Sequence, residues 1–380
     1  MSPHLRSDAL HGRVRSMIRA FVCGDAPPES FDAIAVDLVA FQAERVPGYA
    51  RLCAARGVDP RSISRASEAP AVPAEAFKMA SVFAFDAREA IATFRTSGTT
   101  LGARGAHAMR ETGSYDAAAL AFGGAMFAPD LTEPRVPRPP VLVIGPSRAE
   151  APDSSLTHMC ALFARTLGAS QEGSFFVRSG VLEVGRLRAR VASLPREGPA
   201  IVLATSFALV HLLEDLGSGA GSHNLALPSG SRVMQTGGFK GRSREVSSAE
   251  LRRDVARVFS VDERAVVAEY GMTELSSQFW EATLVDDRAR HGFYAEPPWA
   301  RVVPVDPATL APVPDGAVGI ARIEDLANVD SAFAILTHDR VRRAGARFEL
   351  LGREPGASPR GCSIALDEML SASAAKAADR

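Results

Sequence analysis

Apolar residues recur at helical spacing through the first part of the chain. They form two runs with steps of three or four positions, separated by Ala26-Pro27-Pro28: Val14, Ile18, Phe21 and then Ile34, Leu38, Phe41. This period predicts amphipathic helices that bury one face. We therefore expect residues 1–90 to form a helical N-terminal layer.

The centre of the chain changes to short β-rich runs. Each run leads into Gly, Ser or Thr and then into a helical pattern: Val141–Gly145, Ala200–Ala204, Arg232–Gln235 and Ala265–Glu269. One following helix begins with a capping box, Ser247 and Glu250, before an apolar face. The alternation predicts an α/β core over residues 91–292, with a largely parallel sheet covered by helices.

Pro-rich pieces interrupt the β-like segments from Phe293 onward. They predict a smaller β-rich subdomain over residues 293–380, which includes a C-terminal cysteine segment. In parallel sheets, ligands bind beyond the carboxyl ends of the strands. We therefore expect three stretches to converge there: Thr96–Thr100, Thr236–Gly241 and Tyr270–Glu274.

The stretch Arg95-Thr96-Ser97-Gly98-Thr99-Thr100 follows the strand-like segment Ile91–Phe94 and sets hydroxyl groups around one glycine. The glycine lets consecutive backbone N–H groups turn onto an anion, and the hydroxyls add donors. The stretch predicts a phosphate site; a solvated turn is the alternative.

Charge and composition restrict the classes of ligand that the protein can be expected to bind. Lys plus Arg total 43 against 44 Asp plus Glu, so the net charge of −1 gives no general attraction to nucleic acid or to an anionic membrane. The lysines number three, at positions 78, 240 and 376, against 40 arginines. Because arginine is the default cation, a lysine in a glycine-rich stretch suggests a compact ammonium that faces a phosphate or carboxylate. Lys240 is that candidate.

The remaining composition points to a cytoplasmic protein. Four cysteines lie far apart, without the spacing of a zinc site or a disulfide framework: Cys23, Cys53, Cys160 and Cys362. The first residues lack a signal-peptide core, and no run of 18 apolar residues is present, so we expect no membrane segment.

Four stretches together resemble the adenylate-forming, acyl-activating superfamily. They stand in the order of its motifs: Thr96–Thr100, Tyr270–Glu274, Thr337-His338-Asp339 and Gly352-Arg353. A closer similarity is to acyl-protein synthetases of the LuxE type, in Pro73–Lys78, Thr236–Lys240, Tyr270–Gln278 and Arg360–Ser363. The resemblance implies the large-domain fold of the superfamily, with layered sheets and helices, and ATP and Mg²⁺ as cofactors.

The resemblance also implies roles for individual residues. It implies phosphate contacts by Thr96, Ser97, Gly98, Thr99 and Thr100, and close backbone approach to the nucleotide by Gly237 and Gly238. It implies that Tyr270, with Gly271, packs on the adenine and that Thr273 contacts the α-phosphate. It implies that Asp339 binds the ribose hydroxyls and that Arg353 binds the ribose or a phosphate. Glu274 becomes the Mg²⁺ ligand, because a phosphate-bound hard cation takes one or two carboxylates.

The chain also departs from the superfamily pattern. Leu101–Gly105 shifts a glycine and puts arginine where lysine is usual, and His338 replaces a glycine. After Arg353 follow 27 residues, too few for the usual C-terminal lid domain with its catalytic lysine, so we expect that lid to be lacking. We expect Lys240 to neutralise the carboxylate and α-phosphate instead, with Arg353 or Arg360 as second choices.

These features predict an ATP-dependent ligase that converts a carboxylic acid to an acyl-adenylate, and the resemblance implies that the acid is a fatty acid. The resemblance implies acyl transfer to Cys362 as a thioester and delivery to a partner such as an acyl reductase. The charge of Arg360 is expected to favour the Cys362 thiolate. One alternative is transfer to coenzyme A, a carrier-protein thiol or an amine. Another is a non-catalytic acyl-carrying subunit.

Overall fold

The computed structural model describes residues 3–96, 104–131, 137–169, 173–217, 225–237, 247–354 and 360–370. Contacts divide the chain into two compact units. Unit 1 comprises Met1–Ala121, Met272–Gln278 and Ala295–Arg380, and unit 2 comprises Phe122–Gly271 and Phe279–Tyr294.

The described ranges contain ten α-helices and fifteen β-strands. The helices are α1 (Pro3–Cys23), α2 (Phe31–Arg45), α3 (Pro47–Ala55), α4 (Ala76–Met79), α5 (Gly113–Phe127), α6 (Ser155–Thr166), α7 (Val184–Ala192), α8 (Ser206–Leu216), α9 (Ser248–Phe259) and α10 (Arg360–Leu370). The strands are β1 (Val72–Pro73), β2 (Ala92–Arg95), β3 (Ala106–Met109), β4 (Val141–Pro146), β5 (Phe175–Arg178), β6 (Val181–Leu182), β7 (Ile201–Thr205), β8 (Arg232–Thr236), β9 (Val266–Tyr270), β10 (Phe279–Glu281), β11 (Phe293–Ala295), β12 (Ala300–Val305), β13 (Val318–Asp325), β14 (Ala334–Ala344) and β15 (Arg347–Arg353). No helix in these ranges is both long and apolar enough to cross a membrane.

Unit 2 contains the predicted parallel sheet. Its strands lie in the order β10-β9-β8-β7-β4-β5-β6, and the five from β9 to β5 run parallel to their neighbours. Strands β8 and β9 are buried along their whole length, as expected of a sheet covered on both faces. The four strands predicted from the apolar runs are confirmed as β4, β7, β8 and β9.

Helix α9 begins at the predicted capping box. The Ser247 side chain accepts a hydrogen bond from the backbone N–H of Glu250 at 3.2 Å. Leu251, Val255 and Phe259 are buried on one face and join the apolar core of unit 2. The cap and the apolar spacing together fix where this helix starts and which face it buries.

Unit 1 combines both ends of the chain. The predicted N-terminal helices are present as α1, α2 and α3, and β12-β13-β14-β15 form consecutive antiparallel neighbours. Strand β1 pairs in parallel with β14, with Val72 opposite Ile335, and α10 packs on α3 and β1. Packing therefore joins residues of the predicted regions 1–90 and 293–380 in one unit.

The strand before the predicted phosphate loop has a different partner from the one expected. Strand β2 forms an antiparallel hairpin with β3, in a sheet of two strands. The strand-like segment Ile91–Phe94 therefore corresponds to β2, which within the described residues pairs only with β3 and is not a strand of the parallel sheet. The period of an apolar run indicates which face is buried but carries no information on the partner strand.

Candidate functional site

The base of the β2–β3 hairpin is closed by hydrogen bonds around Thr96. The Thr96 N–H donates to the Gly105 carbonyl at 2.9 Å, and the Gly105 N–H donates to the Thr96 hydroxyl at 2.9 Å. Arg104 donates from Nε to the Thr96 carbonyl at 2.7 Å. These bonds fix both ends of the predicted phosphate loop.

Gly105 lies in a crowded position at this base. A Cβ there would stand 3.0 Å from the Thr96 methyl group and 3.3 Å from Cγ of Lys78. The stem of Lys78, on α4, therefore runs past the hairpin base. The remaining predicted loop residues, Ser97, Gly98, Thr99 and Thr100, lie outside the described residues.

Strand β3 is bonded to the segment that carries Thr273 and Glu274. His107 donates from Nδ1 to the Thr273 carbonyl at 2.8 Å, and its ring packs edge-on against Phe77 with centroids 5.7 Å apart. Burial lowers the pKa of His107 to about 4, although this hydrogen bond works in the other direction. The imidazole is therefore neutral near pH 7 and acts as a fixed donor.

The rest of this segment is held by a buried aspartate. Asp325 accepts hydrogen bonds from the N–H groups of Ser276 and Ser277 at 2.9 and 2.8 Å and from the Ser277 hydroxyl at 2.7 Å. Asn328 donates to the carbonyl of Glu274 at 3.0 Å. Sequence reasoning missed Asp325 and His107, because a single polar residue in an apolar run gives no motif.

The structure brings together two residues predicted to bind the ribose. Asp339 on β14 lies opposite Arg353 on β15, and Arg353 Nε donates to the Asp339 carboxylate at 3.2 Å. The Arg353 side chain is 67% exposed and that of Asp339 is 13% exposed. The carboxylate is thus held in place while the guanidinium faces solvent.

Beside this pair, His338 approaches a carboxylate on the segment that leads into α4. His338 Nε2 lies 2.9 Å from Oε1 of Glu75. Burial alone would raise the pKa of Glu75, but contact with His338 and the charge of Lys78 lower it below its usual value. The parallel pairing of β1 with β14 explains the contact, since Glu75 and His338 each follow their paired residue by two positions.

Cys362 does not lie in the predicted polar turn. It belongs to the first turn of α10 and is buried, at 1% exposure. Burial and the negative charge of Glu75 raise the pKa of Cys362 to about 12. The expectation that Arg360 favours the thiolate is therefore wrong in this setting: Arg360 is exposed, whereas the thiol faces the interior.

In unit 2 the ends of β8 and β9 adjoin. Thr236 lies opposite Glu269, and its hydroxyl donates to that carboxylate. Burial raises the pKa of Glu269 to about 7, against the effect of this hydrogen bond. Gly237 adopts φ +75°, a backbone conformation that favours glycine, and its carbonyl accepts from Ser206 at 2.7 Å.

Tyr270 at the end of β9 is buried among aromatic rings of unit 2. Its ring lies 6.0 Å from those of Phe279 and of Tyr294. Gly271 follows it at the end of the strand. Gly238 and Lys240 lie outside the described residues. The predicted site residues are thus divided: Gly237, Tyr270 and Gly271 belong to unit 2, and Thr96, Thr273, Glu274, Asp339, Arg353 and Cys362 belong to unit 1.

Solved structures with a similar fold include those of a CoA ligase. An open conformation of 2-hydroxyisobutyryl-CoA ligase, in complex with 2-HIB-AMP and CoA, is 15% identical over 85% of this chain and 74% of its own, with a TM-score of 0.62. The same ligase in the thioesterification state is 14% identical over 93% of this chain and 69% of its own, with a TM-score of 0.60. ATP-bound MatB from Rhodopseudomonas palustris is 15% identical over 71% of this chain, with a TM-score of 0.47, and the chain spans 49% of its length.

The fold is therefore that of the adenylate-forming enzymes, which confirms the predicted α/β class. The chain belongs to the LuxE acyl-protein synthetase family, whose sequence model matches residues 31–371. The predicted family is thereby confirmed, and the family's description as a synthetase agrees with the predicted enzyme class, a ligase. No curated protein is significantly similar in sequence.

Proposed function

We propose that this protein uses ATP to convert a fatty carboxylic acid into an acyl-adenylate and then takes the acyl group onto Cys362 as a thioester. One observation carries the first step. Segments far apart in the chain, which hold Thr96, Thr273 and the Asp339–Arg353 pair, belong to one compact unit. The hydrogen bond from His107 and the pairing of β14 with β15 hold two of them in place. These are the residue types that a nucleotide requires: hydroxyls for phosphate and a carboxylate for paired ribose hydroxyls.

Glu274 is the proposed ligand for Mg²⁺. In the described part of the chain no group of three or more His, Cys, Asp or Glu residues could hold a metal by itself. A phosphate-bound Mg²⁺ needs one or two protein carboxylates, and Glu274 is a carboxylate one residue from Thr273, so the donor set fits. When bound, the ion would offset charge on the phosphates.

The proposed chemistry has two displacements. In the first, a carboxylate oxygen bonds to the α-phosphorus of ATP, and the bond from that phosphorus to the bridging oxygen breaks to release pyrophosphate. In the second, the sulfur of Cys362 loses its proton to water and bonds to the acyl carbon, and the bond from that carbon to the phosphate oxygen breaks to release AMP. Positioning of the reactants and neutralisation of phosphate charge supply the catalysis. The thioester would then pass to a partner such as an acyl reductase.

The burial of Cys362 favours a second candidate for the acceptor. A thiol with a pKa of about 12 is almost entirely protonated near pH 7, and the thiol is a much weaker nucleophile than the thiolate. In this alternative, Cys362 is structural and the acyl group passes to coenzyme A, a carrier-protein thiol or an amine.

Intact-protein mass and carboxylate-dependent exchange of pyrophosphate into ATP test both steps. The protein is incubated with ATP, Mg²⁺ and acids from acetate to palmitate. We expect exchange, and an acyl mass on the protein that hydroxylamine removes. Cys362→Ser should keep the exchange and lose the hydroxylamine-sensitive mass, whereas Cys23→Ser, at an exposed cysteine, should keep both.

Three results would change this account. Exchange without acyl mass on the wild-type protein, together with acylation of added coenzyme A, would support the alternative acceptor. Acyl mass that survives in Cys362→Ser would place the thioester elsewhere. Absence of exchange with every acid would refute adenylate formation.

A further inference from the structure

Helix α1 places a stripe of three polar residues against the rest of unit 1. Ser7, His11 and Arg15 follow one another at intervals of four positions, so they share one face of the helix. The helix precedes residues 31–371, which the family's sequence model matches. Ser7 and His11 are buried, at 2% and 4% exposure. Buried polar side chains need partners, and those of His11 lie close to the candidate site.

The ring of His11 lies between two carboxylates. Its Nδ1 is 2.7 Å from Oε1 of Glu111 and 2.7 Å from the hydroxyl of Ser114. Its Nε2 is 3.2 Å from Oδ2 of Asp330. A neutral imidazole has one N–H group, so one of its nitrogens would face a carboxylate without a proton. An imidazolium has two N–H groups and can donate to both carboxylates, so the geometry favours protonated His11.

Other charged or titratable side chains surround this contact. They belong to α1 and to the residues of β3 and just after it: Asp8, Arg15, His107 and Arg110. Arg15 donates to Glu111 at 2.6 Å. Arg110 Nε lies 3.4 Å from Oδ2 of Asp330. Burial alone would lower the pKa of His11, but hydrogen bonds to Asp330 and Glu111 and their negative charges raise it above its usual value.

Each of the two carboxylates lies close in the chain to a residue that supports the Thr273 segment. Glu111 comes four residues after His107, which donates to the Thr273 carbonyl at 2.8 Å. Asp330 comes two residues after Asn328, which donates to the next carbonyl of that segment at 3.0 Å. The ring of His11 therefore connects the two supports.

Loss of the His11 proton would disturb both supports. His11, Ser276 and Asn328 line one cavity of about 20 Å³, so the ring is close to the segment itself. A neutral ring leaves either Glu111 or Asp330 without this donor in a buried setting, which is costly. That carboxylate would turn to another donor or to water, and the support beside it would shift.

We propose that His11, as an imidazolium, is a positioning residue for adenylation: it donates to Glu111 and Asp330 at once and thereby fixes the Thr273 segment. The inference rests on the proposed adenylation, in which that segment meets the phosphates and Mg²⁺. His11 acts through the two supports and touches no substrate. Its contribution is fully present below pH 6.5 and is lost as the pH rises through the higher pKa of the folded state.

Carboxylate-dependent exchange of pyrophosphate into ATP, measured from pH 6 to 9, tests the assignment. His11→Gln can donate to one carboxylate and carries no charge. At pH 6 we expect it to lower kcat/KM for ATP at least about tenfold, because a misplaced segment costs rate steeply. KM for ATP should rise, and KM for the acid should stay within about twofold of the wild type. The ratio of wild-type to variant kcat/KM should fall as the pH rises.

A second variant and a matched control separate this role from a merely structural one. Glu111→Gln keeps His11 but removes one negative charge beside it, so the decline of exchange with rising pH should move to lower pH. His4→Gln changes another histidine of α1, which is 54% exposed and lies 3.6 Å from Glu89. This control should match the wild type in both Michaelis constants and in pH profile.

Hydrogen exchange of backbone amides measures the segment without catalysis. The N–H groups of Ser276 and Ser277 are bonded to Asp325. At pH 6 we expect the peptide that contains them to exchange faster in His11→Gln than in the wild type or in His4→Gln.

Four results would count against this account. Wild-type kcat/KM in His11→Gln at pH 6, or an equal loss at every pH, would overturn the inference. So would a loss of kcat with KM for ATP unchanged, because a smaller folded fraction alone has that effect. Unchanged amide exchange in His11→Gln would refute the effect on the segment by itself. Absence of pyrophosphate exchange in the wild type with every acid would instead refute the proposed adenylation.

Discussion

The two compact units hold their predicted site residues by different means. In unit 2, Thr236 and Tyr270 end neighbouring parallel strands, so backbone pairing alone sets their relative position. In unit 1, the Thr273 segment is held by the side chain of His107, from a distant part of the chain, and Asp339 is contacted by the side chain of Arg353 on the paired strand β15. A site built on backbone pairing tolerates most side-chain substitutions, whereas a site built on single side-chain contacts depends on each of them.

Each unit contains one buried tryptophan, which allows the comparison to be measured. Trp280 in unit 2 stacks near Phe127 and Phe163, with ring centroids 5.4 and 6.1 Å apart. Trp299 in unit 1 meets the ring of Phe21 edge-on at 5.5 Å. The chain has two tryptophans in all, so Trp280→Phe leaves a reporter in unit 1 and Trp299→Phe leaves one in unit 2.

The largest expected effect comes from the aspartate that holds the Thr273 segment. Asp325→Ala leaves the N–H groups of Ser276, Ser277 and Ala327 without their acceptor in a buried site. Each such loss costs about 1–3 kcal/mol, so we expect unit 1 to lose about 4 kcal/mol of its free energy of unfolding. Urea unfolding, followed by the fluorescence of Trp299 in the Trp280→Phe background, measures this loss.

Two controls are needed to interpret the loss of stability in Asp325→Ala. Asp315→Ala, at an exposed aspartate of unit 1, should change stability by less than about 0.5 kcal/mol. The Trp280 signal should shift less than the Trp299 signal when Asp325 is replaced. Equal shifts of both signals would show that the contact stabilises the whole chain, and the contrast between the units would then fail.

The difference between local signals and long-range contacts explains which parts of the fold the sequence could predict. Apolar runs and turn residues predicted β4, β7, β8 and β9, and a capping box predicted the start of α9, because these signals are local. The hairpin partner of β2 and the pairing of β1 with β14 could not be predicted, since a periodic pattern names no partner.

At the candidate site, the sequence motifs named candidate residues, but the sequence did not predict the surroundings of those residues in the fold. The resemblance named Asp339 and Arg353 separately, and the register of β14 and β15 brings them together. Cys362 comes two residues after Ser358-Pro359-Arg360, a sequence typical of a polar turn. It nevertheless lies in helix α10, whose inner face is buried. Burial depends on what packs against a residue, which one sequence does not state.

Opposite responses to pH are the next expected effect. Burial lowers the pKa of His107 in unit 1 from 6.5 to about 4, so between these values the unfolded chain holds a proton that the folded chain lacks. Unit 1 therefore loses stability as the pH falls from 6.5 to 4. Burial raises the pKa of Glu269 in unit 2 from 4.5 to about 7, so unit 2 loses stability as the pH rises from 4.5 to 7. Each effect amounts to about 3 kcal/mol.

Difference curves isolate these two groups from other titrating residues. The free energy of unfolding is measured from pH 4 to 7.5 for His107→Gln with the Trp299 reporter and for Glu269→Gln with the Trp280 reporter. Relative to the wild type, the first variant should lose less stability on the acid side, and the second should lose less toward neutral pH. Curves of the same sign would contradict the assigned burial of one group.

The smallest expected effect lies at two helix caps, one in each unit. The Ser30 side chain accepts from the Ala33 N–H at 3.1 Å at the start of α2, and the Ser247 side chain accepts from the Glu250 N–H at 3.2 Å at the start of α9. Ser30→Ala and Ser247→Ala should each cost about 1 kcal/mol, because an N–H of the first turn loses its acceptor. Urea unfolding measures the loss with Trp299 for the first variant and with Trp280 for the second. Ser248→Ala, inside the first turn of α9, is the control and should change stability by less than about 0.5 kcal/mol.

The two caps differ in one respect that separates their contributions. Ser247 has glutamate three positions on, as a capping box requires, whereas Ser30 has Ala33 there. Both hydroxyls make the same bond at nearly the same distance. Ser247→Ala removes only the hydroxyl, and the glutamate side chain of a capping box accepts from the backbone N–H at the cap, so Glu250→Ala measures the glutamate separately. If Glu250→Ala changes stability by less than about 0.5 kcal/mol, the hydroxyl bond accounts for the cap, and the box that revealed α9 in the sequence marks the start of a helix without adding to its stability.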